Sequence, residues 1–160
     1  DPDTTLGLLK AYFGALEKLC EEHRVEKIKT IGDAFMAISG VSVAVEDPIK
    51  AIAEFALAAS ASLAQLLAGL DAPLNHRIGI HAGPLISGVL GKSRVSFDVW
   101  GDTVNMASRL ESHAPVGEIA CSQVIYEHLK SDFAIEKKGS VMMKGKGEQP
   151  LWILQGSRKD

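Results

Sequence analysis

The chain has 160 residues, 46% of them hydrophobic and 23% charged, with a net charge of −3. That is enough apolar material for one compact domain, and it excludes a disordered or collagen-like chain. Slight acidity without a Lys/Arg-rich run argues against nucleic acid as a partner. The longest stretch free of ionisable residues, Phe55 to Leu70, is interrupted by Ser60, Ser62 and Gln65 and is shorter than the roughly 20 apolar residues a bilayer-spanning helix needs, so no membrane contact is expected within these residues.

Taken in chain order, Leu6, Leu9, Phe13, Leu16 and Cys20 recur at spacings of three and four. They predict an amphipathic helix that starts at the capping candidates Asp3 and Thr4 and ends near His23. Val25 to Ile31 and Ala34 to Ile38 read as two strands around Gly32-Asp33, a hairpin with Asp33 at its tip. Asp47-Pro48 opens a long helix that Gly69 closes. His76 to His81 is a strand, and the glycine-punctuated stretch Gly83 to Gly91 leads to a β-rich segment from Val95 to Trp100. Gly101-Asp102 caps a short helix through Leu110. A strand from Glu118 to Cys121, a helix opened by Ser122 and a strand pair around Phe133 to Glu136 and Leu151 to Leu154 complete the chain. This order, without regular βαβ alternation, predicts an α+β fold with a mixed sheet covered by helices on one face.

Several familiar motifs are excluded. Gly91-Lys92-Ser93 resembles the end of a phosphate-binding loop, but Ile86 stands where that motif needs glycine and Val95-Ser96-Phe97 where it needs a helix. The five histidines lack zinc-ligand spacing and read as surface or satisfied, half-buried residues. Cys20 and Cys121, with no CxxC spacing and no signal peptide ahead of them, suit reduced thiols in a cytoplasmic setting. The chain begins at Asp1 and runs straight into helical pattern, which suggests a piece of a longer protein.

Two segments carry chemistry. In Lys27-Ile28-Lys29-Thr30-Ile31-Gly32-Asp33 a basic strand runs into a carboxylate on a turn, where a hard cation can be ligated by oxygen; a plain Asp-containing turn is the alternative. In Asp98-Val99-Trp100-Gly101-Asp102-Thr103-Val104-Asn105-Met106-Ala107-Ser108-Arg109 an acid ends a strand and a helix follows, with Asn105 and Arg109 stacked four apart on one face. Such a helix start suits an anion; a capped surface helix with an exposed Arg is the alternative.

Lys27 to Gly40 (KIKTIGDAFMAISG), Arg77 to Gly91 (RIGIHAGPLISGVLG), Phe97 to Glu111 (FDVWGDTVNMASRLE) and Lys144 to Gly147 (KGKG) stand in the order and rough spacing of a known family. Over nearly its whole length the chain resembles the class III nucleotidyl cyclase catalytic domain. The resemblance implies a ferredoxin-like palm, here without its leading strand. It matches Asp33 to one of two aspartates holding a pair of divalent cations, Mg²⁺ or Mn²⁺, and Arg77 to an arginine on the triphosphate. Lys29 and Asp98 match the purine-reading pair, of the adenylyl type. The chemistry agrees, because adenine accepts at N1 from a lysine and donates from N6 to a carboxylate. Asn105 and Arg109 match the residues that orient the ribose and stabilise charge at the α-phosphate, and Lys144 matches a lysine on the outer phosphates.

The implied activity is conversion of ATP to 3′,5′-cyclic AMP and pyrophosphate in sites shared across a homodimer, in the cytoplasm or on the cytoplasmic side of a membrane-anchored parent. One departure stands out. The family's other metal aspartate has no counterpart before Lys10, so either that strand precedes Asp1 in a longer protein or the chain is a catalytically inactive, nucleotide-binding or dimerising module.

Overall fold

The computed structural model describes residues 1–70 and 75–158. The chain forms two compact units, Asp1–Ala72 with Ser87–Asp98, and Pro73–Ile86 with Val99–Asp160.

In the first unit, helix α1 (Pro2–His23) is capped by Asp1, whose carboxylate accepts from the Asp3 backbone N–H, with Pro2 at the first helical position. The cap lies ahead of the predicted Asp3 and Thr4, because proline lacks an N–H and suits the first turn. Strands β1 (Glu26–Ile31) and β2 (Ala34–Ile38) pair antiparallel, closing with Ile31 opposite Ala34 as expected for a two-residue turn. Helix α2 (Pro48–Ala68) has Asp47 as its N-cap and Gly69 as its C-cap, both as predicted. α1 and α2 pack together, burying Leu16 and Cys20 from one and Ala53, Phe55, Ala56, Ala59 and Leu63 from the other. The Phe13 and Phe35 rings approach with centroids 6.2 Å apart, tying α1 to β2.

By length and composition α2 is apolar enough to cross a membrane, although Lys50 and Glu54 stand in its first two turns. Its buried alanine-rich stripe is the pattern a core helix presents to a neighbour.

The second unit is built on a four-stranded mixed sheet in the order β3-β6-β8-β7, comprising β3 (Ile78–Ile80), β6 (Ile119–Cys121), β8 (Gly147–Ser157) and β7 (Phe133–Met143). β3 and β6 are parallel, and the remaining pairings are antiparallel. Helix α3 (Asp102–His113) lies on one face of this sheet. A Cβ at Gly79 would stand 2.2 Å from the Glu111 backbone nitrogen, so only glycine admits the helix at this depth. Met106, Leu110 and Ala114 from α3 form one cluster with Ala120, Met143, Leu151 and Ile153.

Ala120 pairs with Ile153, and Cys121 with Trp152, so alternation sends Trp152 to the face opposite α3. There it stacks on Tyr126 of helix α4 (Gln123–Leu129), with ring centroids 3.6 Å apart. The sheet therefore has helices on both faces, where the element order predicted one. The physical sign is β6, whose three residues are all buried, as only a strand covered on both sides can be.

Strands β4 (Ile86–Leu90) and β5 (Ser96–Trp100) form a third, two-stranded sheet. β4 lies in the stretch that its glycines had marked only as a connection. The last two strands are 11 residues each, longer than predicted, because the exposed polar middle of β7, Glu136 to Ser140, interrupts its hydrophobic pattern before Val141 and Met143.

Candidate active site

The predicted residues fall into two groups. In the first unit, Lys29 Nζ lies 2.8 Å from Asp98 Oδ2, joining β1 to β5. Asp98 retains only 15% of its side-chain exposure and Lys29 41%, so the carboxylate is held in a largely desolvated position where a polar partner matters most. A β-bulge between Lys27 and Lys29 sets the aim of these lysines. In a regular strand, residues two apart point to one face; a bulge breaks that parity and re-aims the chain. Lys27 accordingly meets Glu17 of α1, and its ammonium sits over the Phe35 ring, 5.7 Å from the centroid, while Lys29 reaches Asp98. Asp33 sits exposed on the hairpin tip, beside Gly32 at φ 61°, a left-handed conformation that tight hairpins require.

In the second unit, α3 follows β5 directly, with Gly101 at its N-cap position. Asn105 is exposed on the helix and Arg109, one turn on, is half-buried, as their four-residue spacing predicted. Arg77 is exposed, and its Nη1 donates to the Ser112 carbonyl at 3.5 Å near the other end of α3. Lys144 is exposed where β7 turns into β8.

Two contacts in this unit escaped sequence reading. Lys146 Nζ pairs with Asp102 Oδ2 at 2.5 Å, linking the β7–β8 turn to the first turn of α3. The hydrogen bond to Lys146, with help from Arg109 and His81, holds the Asp102 carboxyl below its ordinary range. His81 Nδ1 is 2.6 Å from the Ser122 hydroxyl. Ser122 occupies the N-cap of α4 as predicted, but its hydroxyl makes no cap bond, because it meets the imidazole instead. Burial first, then the Lys146 charge, keep His81 neutral to lower pH than a free histidine, against an opposing pull from Asp102. A cleft of about 270 Å³ lies here, lined by His81, Met106, Gly145, Lys146 and Gln149. The signals for the first contact were weak, a lysine two residues beyond Lys144 and an acid at a helix start, since neither spacing names a partner.

The cation pair implied by the resemblance does not fit the donors present. Among the described residues no group of three or more His, Cys, Asp or Glu side chains comes together, and Asp33 alone is short of the ligands two hard cations require. The thiols lie apart from this chemistry. Burial pushes Cys20 up to about 11, with Glu17 adding to it, and Cys121 up to about 12, so both are inert.

Comparison with known proteins gives the family and the fold. The family model for the adenylate and guanylate cyclase catalytic domain matches residues 1–156. An adenylate cyclase of Mycobacterium bovis is 40% identical over 157 residues, covering 98% of this chain and 35% of its own. A guanylate cyclase soluble subunit beta-2 of Rattus norvegicus is 35% identical over 156 residues, covering 96% of this chain and 23% of its own. The chain thus spans about a third or less of these relatives. Among solved structures, the adenylyl cyclase CyaB from P. aeruginosa superposes with a TM-score of 0.91 at 26% identity, over 100% of this chain and 86% of the other. With a family model that covers nearly every residue and a fold to match, the chain belongs to the class III adenylyl and guanylyl cyclase catalytic-domain family.

Proposed function

We propose that this cyclase domain takes ATP rather than GTP and forms 3′,5′-cyclic AMP and pyrophosphate. The observation that carries the reading is the Lys29–Asp98 pair, 2.8 Å apart and with Asp98 mostly buried. An ammonium and a carboxylate side by side match adenine, which accepts at N1 and donates from N6; guanine presents the opposite pattern and would leave both groups mismatched. In the reaction the ribose 3′-oxygen attacks the α-phosphorus, the bond from that phosphorus to the bridging oxygen breaks, pyrophosphate leaves and the hydroxyl loses its proton. Asn105 orients the ribose, Arg109 meets the charge that develops on the α-phosphate, and Lys144 and Arg77 bind the outer phosphates, so that catalysis rests on positioning and electrostatics.

We further propose a homodimer, with the purine readers, Asn105, Arg109 and Lys144 of each site from one chain and Asp33 and Arg77 from the other. One chain carries both sets, which a two-fold symmetric pair can use twice. Ile86, Val89, Leu90 and Val95, all exposed on and beside β4, supply apolar surface of the kind that partners cover. The buried thiols suit a cytoplasmic setting.

A second reading, a nucleotide-binding module without turnover, is favoured by Asp33 as the lone metal carboxylate matched here. Cyclic nucleotide formed from ATP and from GTP, with Mg²⁺ and with Mn²⁺, decides between them when measured on these 160 residues and on a chain extended at its N-terminus. The expected result is little product from the short chain and metal-dependent cyclic AMP from the longer one. Nucleotide binding without product in both would establish the second reading.

A further inference from the structure

We propose that Asp102 and Lys146 form a clasp that positions Lys144 for the nucleotide's outer phosphates, making both of them positioning residues. The inference rests on the cyclase reading above. Asp102 is the first residue of α3, where an acid ordinarily complements the helix dipole and stays in water. Here its carboxylate instead takes the ammonium of Lys146, 44 residues along the chain.

Lys146 in turn sits in a braced turn. Its backbone N–H donates to the Met143 carbonyl at 3.0 Å, and its own carbonyl accepts from Gln149 Nε2 at 2.9 Å. Met143 is buried in the cluster that holds Met106 and Leu110 of α3. The strand end before the turn is therefore anchored to α3 by apolar packing and the turn itself by charge, on either side of Lys144. Two attachments flanking one residue restrict where its side chain can reach, and they do so relative to the helix that carries Asn105 and Arg109.

Energetics say what such a contact is suited for. Asp102 keeps 69% of its side-chain exposure, and an ion pair this open contributes little to overall stability. Its effect is local, on the turn that it braces together with those hydrogen bonds. Lys144 would bind the outer phosphates in ground and transition states alike, so a misplaced Lys144 raises KM more than it lowers kcat.

The test uses Lys146→Met, Asp102→Asn, the two together, and the exchanged pair Asp102→Lys with Lys146→Asp. Amide hydrogen exchange on the chain itself reads the clasp without any turnover. Each single variant is expected to speed exchange at residues 144–147 roughly fivefold, the double no further, and the exchanged pair to restore protection, with α3 amides unmoved. In the cyclase assay on an extended chain, each single variant is expected to raise the KM for ATP roughly 3- to 10-fold with kcat within about twofold. Added salt should raise the KM of both, and more steeply for the wild type than for the double variant, which has no clasp to screen.

Unchanged exchange at the turn in both single variants would overturn the proposal. So would faster exchange with an unaltered KM, since the clasp would then order the turn without positioning Lys144. An extended wild-type chain that uses neither ATP nor GTP refutes the cyclase reading and with it the role for Lys144, while the exchange data still show whether the clasp exists.

Discussion

The two groups of functional side chains differ in how they are held. Lys29 and Asp98 lie on strands of separate hairpins and meet where Asp98 is largely withdrawn from water. Asn105, Arg109 and Lys144 stand on the surface of a helix and a turn whose undersides are buried in one apolar cluster. A half-buried ion pair discriminates, because a wrong partner leaves a polar group unsatisfied; cations that reach solvent from a rigid support stabilise charge where it develops. The first region should therefore decide which nucleotide is used and the second how fast it reacts.

The sharpest way to separate them is Arg109→Ala, expected to lower kcat by roughly 10²–10³ if the guanidinium behaves like a lost oxyanion donor. The ratio of ATP to GTP turnover in an extended, active chain should stay put. Mixing this variant with Asp33→Ala and allowing the subunits to exchange should return up to about half of the wild-type activity per heterodimer, since one pocket collects both lesions and the other neither. If mass measurement finds heterodimers and activity does not return, the shared site is refuted.

Lys29→Glu with Asp98→Cys attacks the first region. An unpaired buried polar group costs about 1–3 kcal/mol, so the ATP to GTP preference should move roughly 5- to 150-fold toward GTP. Steady-state kinetics with both nucleotides measures it, and an unmoved ratio would break the division of labour.

A third expectation concerns the support rather than the site. Gly79→Ala drives a methyl into the Glu111 backbone nitrogen and the Ala107 carbonyl. With backbone on both sides unable to yield, about 1–3 kcal/mol of stability should be lost. Both tryptophans, Trp100 and Trp152, lie in the second unit, so urea unfolding followed by fluorescence reads it there.

The smallest effect is on pH. Burial lowers the pKa of His76 and of His81. The folded state therefore favours their neutral forms, and the stability they contribute is present above the ordinary imidazole value of 6.5 and is lost as pH falls below it. The unfolding midpoint followed by tryptophan fluorescence should drop between pH 7.5 and pH 5.5, and His81→Gln should flatten part of that slope. A midpoint that rises toward pH 5.5 would contradict the assignment.

What could be read from the sequence alone was local. The hairpin with Asp33 at its tip, the long helix from Asp47-Pro48 to Gly69, and the helix carrying Asn105 and Arg109 are all encoded within a few residues by spacing, caps and turn chemistry. The ordered motifs from Lys27 to Gly147 carried the family, because residue types at fixed spacings survive without knowledge of their partners. Tertiary structure decided the rest. It turned Lys29 toward Asp98, 69 residues away, through a bulge no periodicity signals, and it brought Lys146 to Asp102 across 44 residues. It also placed α4 opposite α3, since the face a helix covers depends on which strands pair and in what register. Local patterns carry the period of each element; which side chains meet across long loops is settled only when packing chooses among the closures that those periods allow.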